Sequence, residues 1–220
     1  MDTTELDFRY HPDHAAIVVI DMQADYCASD GALARMGFDT SAGRTMAHRL
    51  SSLLESARQI GLTVVFVRTT HGPSDDSHAW LNRYGCTRGD EPVGKICREE
   101  DPVGCAWFGV EPQEHELVIT KHRYSAFSGT PLAMKLRTMG IDSLLFTGVA
   151  TEICVESSLR DALFEDFYVT LIEDCAASFT AVGHQASVDV VRANFGTVTD
   201  AATLRALWQS AKAHGSATDD

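Results

Sequence analysis

Short β-branched apolar runs recur along the chain: AAIVVI at 15–20, TVVFV at 63–67, LVIT at 117–120, SLLFT at 143–147 and YVTLI at 168–172. Being apolar throughout rather than alternating, they predict strands buried on both faces. Between the first two, Met46, Leu50, Leu53, Leu54, Ala57 and Ile60 recur at helical spacing and Gly61 supplies a stop, so Ser41 to Gly61 reads as a helix. Thr130 and Pro131 open a second helix, with Leu132, Leu136 and Met139 on one face and Gly140 at its end. Further helical patterns run from about 151 to 167, 180 to 194 and 201 to 212.

Strands alternating with helices predict an α/β domain: a mostly parallel sheet covered on both faces, because right-handed crossovers place helices there. Residues 1–213 read as one domain, and 214–220 (HGSATDD) as a frayed tail. The segment from Thr69 to Glu116 breaks the alternation. It holds four of the six prolines and three of the six cysteines with little periodicity, as expected of a functional loop or lid.

Composition narrows the range of functions. The 220 residues are 45% hydrophobic and 22% charged, ordinary for a globular domain, and a chain this long buries roughly 70% of its unfolded surface without disulfides or a structural metal. The 18 basic and 31 acidic residues give a net charge of −13, which weighs against nucleic acid and anionic membrane as partners. An acidic N-terminus and no long apolar stretch point to a cytoplasmic protein, where Cys27, Cys86, Cys97, Cys105, Cys154 and Cys175 are expected as thiols.

In a parallel sheet, ligands bind beyond the carboxyl ends of the strands, so reactive side chains belong there. Asp21 ends the first run, Lys121 the third, and Cys154 lies seven residues after the fourth. Each has a plain reading as well: a turn or cap aspartate, a solvated lysine, a small buried hydrophobe. Their joint placement on one edge favours chemistry. With Thr151 as cap, Cys154 falls in the first turn of a helix, where free N–H groups and the helix dipole lower a thiol pKa. Thr147-Gly148-Val149-Ala150 would supply backbone donors for an oxyanion, and Asp21 could carry the thiol proton.

Three segments, AIVVIDMQADYC at 16–27, VITKHRYSAFSGTPL at 118–132 and TGVATEICVESSLRDA at 147–162, resemble the isochorismatase-like cysteine hydrolase superfamily, in order and in spacing. The resemblance spans about residues 15–200. It implies a Rossmann-like three-layer α/β/α fold, a catalytic Asp21-Lys121-Cys154 triad, and a cis peptide before Ala150. It also implies an oxyanion hole from the N–H groups of Ala150 and Cys154, a homodimer or homotetramer, and no cofactor. KHRYSAFSGTPL and GVATEICVESSLRDALFEDF are most similar to ureidoacrylate amidohydrolases. DMQADYC, MGFD and the pairing of Cys154 with Asp174 are similar to biuret hydrolases.

The expected activity is therefore hydrolysis of a C–N bond in a small linear ureide or carbamoyl compound. Biuret, triuret, carbamoylsarcosine, maleamate and nicotinamide stand as alternatives. Gln23, Tyr26, Arg68, Trp107, Arg123 and Tyr124 are the candidate substrate contacts; a guanidinium would suit a substrate carboxylate. Nicotinamidases add a metal site after the second strand, but His71, Asp75 and His78 do not reproduce that spacing, and no metal is expected. A silent binding protein, or a redox sensor with Cys175 resolving Cys154, are the readings outside catalysis.

Overall fold

A computed structural model describes residues 7–83 and 96–215. The apolar runs form strands β1 (Ala15–Ile20), β2 (Thr63–Thr69), β3 (Leu117–Lys121), β4 (Ser143–Val149) and β5 (Tyr168–Ala177), joined by a short sixth, β6 (Thr197–Thr199). All pair in parallel in the order β3-β2-β1-β4-β5-β6, so the sheet is wholly rather than mostly parallel. β6 is too short to show a period in the sequence.

The helices are α1 (Ala24–Cys27), α2 (Ala32–Arg35), α3 (Ser41–Gln59), α4 (His78–Leu81), α5 (Leu132–Thr138), α6 (Glu156–Phe164), α7 (Ala181–Asn194) and α8 (Ala201–Gly215). Strand periodicity sorts the core into two layers. Ala15, Ile17 and Val19 of β1 face Leu50, Leu53 and Leu54 of α3 and Leu204 and Trp208 of α8. Ala16, Val18 and Ile20 face Leu132 and Leu136 of α5, Leu159 of α6 and Val188 and Val191 of α7. Burying each large side chain contributes roughly 1.5–3 kcal/mol, and this double-sided burial is what makes the runs uniformly apolar.

Two expectations need correction. The helix anticipated over 151–167 is divided: Thr151–Val155 form a single π-helical turn before α6 begins. Its cap is Ala150, not Thr151, whose hydroxyl instead bonds His184 Nδ1 at 2.9 Å. The tail is also shorter than expected, since α8 continues through His214 to Gly215; residues 216–220 lie outside the described residues, as does Cys86. Among the described residues no helix is long and apolar enough to cross a membrane.

The chain order reverses at β1, whose neighbours β2 and β4 lead away to opposite edges. A crevice opens there beyond the strand ends. Gly148 shapes its rim: its φ is +105°, and a Cβ would fall 2.0 Å from the Ile20 carbonyl oxygen. Only glycine lets β4 pass this close to β1 before the chain turns at the cis Val149–Ala150 peptide.

Candidate active site

Asp21 follows β1 in a left-handed conformation, φ +51°, which aspartate tolerates better than most residues. Its backbone N–H donates to the Val67 carbonyl at 2.9 Å, so the β1–β2 register places the carboxylate. Lys121, the last residue of β3, pairs in register with Thr69 of β2. Lys121 Nζ lies 2.8 Å from Asp21 Oδ2, donates to Thr69 Oγ1 at 2.7 Å and to the Arg123 carbonyl at 3.0 Å, and sits 3.5 Å from Cys154 Sγ. Thr69 in turn donates to Asp21 Oδ1 at 2.9 Å. The structure thus brings the three separated residues together, each at most 5% exposed.

Burial draws the Lys121 ammonium down, but the Asp21 carboxylate, with Cys154 adding to it, outweighs this and holds it above its ordinary value. Burial pushes the Cys154 thiol up; Lys121 pulls it back, and Asp21 pushes it up again. This reverses the expected helix-dipole lowering, because desolvation of a sulfur on the cavity floor exceeds the help of one broken turn. The resting site is therefore an ion pair beside a protonated thiol, with a base at hand for its proton.

Lys121 and Cys154 form the floor of a cavity of about 580 Å³, with Ala150 beside them. The Ala150 carbonyl accepts from the N–H groups of Ile153 and Val155 at 3.1 and 3.2 Å, which holds the turn that presents the sulfur. Tyr26, Leu33, Met36 and Phe38 give the cavity an apolar wall. Opposite in character are Arg123 and Arg83, whose guanidinium carbons lie 4.9 and 3.8 Å from the Trp80 ring centroid; Arg83 also bonds the Tyr124 hydroxyl at 2.8 Å.

Of the proposed substrate contacts, Tyr26, Arg123 and Tyr124 line this cavity, and Gln23, Arg68 and Trp107 do not. Gln23 is fully buried. Its amide donates to the carbonyls of Thr69 and Cys105 at 3.0 and 3.1 Å and accepts from the Thr69 N–H at 2.7 Å, so it is a structural tie. Arg68 turns to Thr120 Oγ1 at 3.1 Å, and Trp107 packs edge-on against Phe66 in the core layer under α3. Cys175 belongs to that same layer whereas Cys154 belongs to the other, so the sheet separates the two thiols of the redox reading.

His71, Asp75 and His78 do not converge: Asp75 pairs with His122 Nδ1 at 3.2 Å, and His78 is exposed. Among the described residues, no group of three or more His, Cys, Asp or Glu side chains is placed to hold a metal ion. Sequence reasoning missed Thr69, which bridges acid and base, and Asp25, which is 1% exposed. Asp25 accepts from the N–H groups of Ala32 and Cys97 at 2.9 and 2.7 Å and so anchors the irregular segment. It also missed Trp80 and Arg83, whose signal was only their type within an aperiodic stretch, and Glu152.

Residues 15–203 match the isochorismatase domain family. The ureidoacrylate amidohydrolase RutB of Klebsiella pneumoniae subsp. pneumoniae is 32% identical over 201 residues, covering 87% of this chain and 85% of its own. A cysteine hydrolase from Pseudomonas syringae pv. phaseolicola shares the fold, with a TM-score of 0.81 at 23% identity over 96% of this chain and 100% of that one. The N-carbamoylsarcosine amidase of Thermoplasma acidophilum is also similar, with a TM-score of 0.70 at 26% identity over 86% and 96% of the two chains.

Proposed function

The chain belongs to the isochorismatase family and is an amidohydrolase of it, and from that premise we propose that it cleaves a C–N bond of a small linear ureide carrying a carboxylate, through an acyl-enzyme on Cys154. The observation that carries this reading is the buried Asp21–Lys121 pair beside the Cys154 sulfur on the cavity floor.

As the sulfur attacks the substrate carbonyl, Asp21 takes the thiol proton, which burial favours on the sulfur. The carbonyl π electrons move onto oxygen, which the N–H groups of Ala150 and Cys154 receive. When the oxyanion collapses, the C–N bond breaks and Asp21 delivers its proton to the leaving nitrogen. Water then gives a proton to Asp21, adds to the thioester or thiocarbamate carbonyl, and restores the thiol as the C–S bond breaks. Lys121, whose ammonium is held above its ordinary value, stays paired with the Asp21 carboxylate and orients it toward the sulfur.

The ureidoacrylate amidohydrolase at 32% identity supports a carboxylated ureide, and Arg123 and Arg83 suit its charge. The test is ammonia release from ureidoacrylate, biuret, carbamoylsarcosine, maleamate and nicotinamide by wild type and Cys154→Ala. We expect turnover of the carboxylated ureides by wild type, and a loss of at least about 10³-fold in the variant with its melting temperature unchanged. An alanine variant that keeps full activity overturns the nucleophile; a wild type silent on every ureide overturns the substrate class.

A further inference from the structure

Glu152 stands two residues before the nucleophile, in the π-helical turn, and its side chain forms part of the cavity wall. One carboxylate oxygen, Oε1, accepts from Ser178 Oγ at 2.6 Å. The carboxylate lies against the first turn of α7, where Gly183 makes room for it: a Cβ at that position would fall 2.6 Å from Oε1. The other oxygen, Oε2, is buried and has no hydrogen-bond partner among the described residues.

A buried carboxylate oxygen left without a donor is costly and calls for an explanation. The cavity's other unpartnered atom beyond the triad, His71 Nδ1, accepts or donates according to tautomer. An ionised carboxylate only accepts, so Glu152 specifies the polarity of whatever meets it: an N–H or O–H group.

Sheet order says where that group lies. Asp21 follows β1, Cys154 follows β4, and Ser178, which holds Glu152, follows β5; in the sheet β4 runs between β1 and β5. Asp21 and the Ser178–Glu152 contact therefore stand toward the two sides of β4, the strand whose following turn carries Cys154. We infer that Glu152 is a specificity-determining residue whose Oε2 accepts an N–H from the nitrogen that stays on the acyl group while Asp21 serves the nitrogen that leaves. The enzyme then selects compounds with nitrogen on both sides of the carbonyl over carboxamides, which place carbon on one side. This rests on the amidohydrolase reading and narrows it to carbamoyl transfer to water. A site built to bond an N–H discriminates strongly against an analogue lacking it, because its own acceptor is left unpaired.

The test compares kcat/KM for N-carbamoyl-β-alanine with two analogues, N-acetyl-β-alanine and glutaramate, each replacing one of its two nitrogens by carbon. Wild type is expected to prefer the ureide by at least about 100-fold. Glu152→Gln, which keeps the shape and the Ser178 contact, is expected to lower kcat/KM for the ureide at least about tenfold, mainly through KM, and to change the analogues less than about threefold. Ser178→Ala, which frees the carboxylate without removing it, should fall between. Equal loss on all three compounds, or a wild type that turns over either analogue as well as the ureide, overturns the role of Glu152. A wild type inactive on all three, and on the panel above, overturns the amidohydrolase substrate reading instead.

Discussion

The floor of the cavity and the described parts of the segment beside it, residues 70–83 and 96–116, are built on opposite principles. The floor is set by register. Thr69 opposite Lys121 and Ile20 opposite Gly148 are fixed by strands whose side chains are buried on both faces, so a slip would displace a whole layer of core. In the segment, by contrast, Cys97 and Val110 are the buried hydrophobic residues among those described. Trp107, Phe108 and Val110 pack on the core layer under α3, and the rest is tied by discrete hydrogen bonds: Asp25 to Cys97 N–H, Gln23 to the Cys105 carbonyl, and the N–H groups of Ala24 and Asp25 to the carbonyls of Ala106 and Gly104. The comparison separates two tasks: hydrophobic register positions the residues proposed to do the chemistry, and discrete buried hydrogen bonds position much of the wall that would read the substrate.

The sharpest way to break this division is to damage the floor. Lys121→Met keeps the apolar stem but leaves Asp21 buried and unpaired, so we expect a loss of about 3–5 kcal/mol in stability together with at least about 10³-fold in turnover, read by denaturant unfolding and initial rates. A variant as stable as wild type would show that the ion pair contributes nothing net to the floor. Damage to a tie should be more local. Asp25→Ala strands two backbone N–H groups, an expected local cost on the order of 2–4 kcal/mol. Faster amide exchange and proteolysis across 96–106, with strand exchange unchanged, would express it; uniform acceleration through the sheet would erase the distinction.

The smallest expected effect concerns acid. His71, 5% exposed, is pushed down to about 4 by burial, with Lys121 and Arg98 adding to it. Below about pH 6.5 the unfolded chain takes up a proton that the folded one refuses. This contribution to stability is therefore complete above about pH 6.5 and is lost as pH falls toward about 4. His71→Phe should flatten the dependence of melting temperature on pH across that window. An unchanged slope would place the acid sensitivity elsewhere.

How much was legible follows from the same contrast. That Asp21, Lys121 and Cys154 converge was legible because each sits at a computable offset from a strand whose apolar run is unmistakable. Thr69 was within reach, as the final residue of β2 facing Lys121, but register between strands is not written in either run alone. Gln23 was misread because it stands two residues after Asp21, and close neighbours at a strand end turn to different partners: Asp21 to Lys121, Gln23 to the Thr69 and Cys105 carbonyls. Arg68 failed likewise, one position from Thr69 on the other face. Trp107, Trp80 and Arg83 lie in the aperiodic segment, where residue type gives no direction. The break at Thr151–Val155 was hidden because a π-helical turn and an α-helix share almost the same local sequence preferences.

By itself, then, the sequence determined the layered α/β architecture, the positions of five of the strands, and the edge on which reactive groups gather, because burial on two faces and helical periodicity are local, repeated signals. Only the tertiary structure decided that burial pushes the Cys154 thiol up, that Gln23 is a tie, and that one oxygen of Glu152 is buried without a partner among the described residues. Each of those depends on what surrounds a single atom, and solvent exclusion and hydrogen-bond partners are supplied by chain segments tens of residues away.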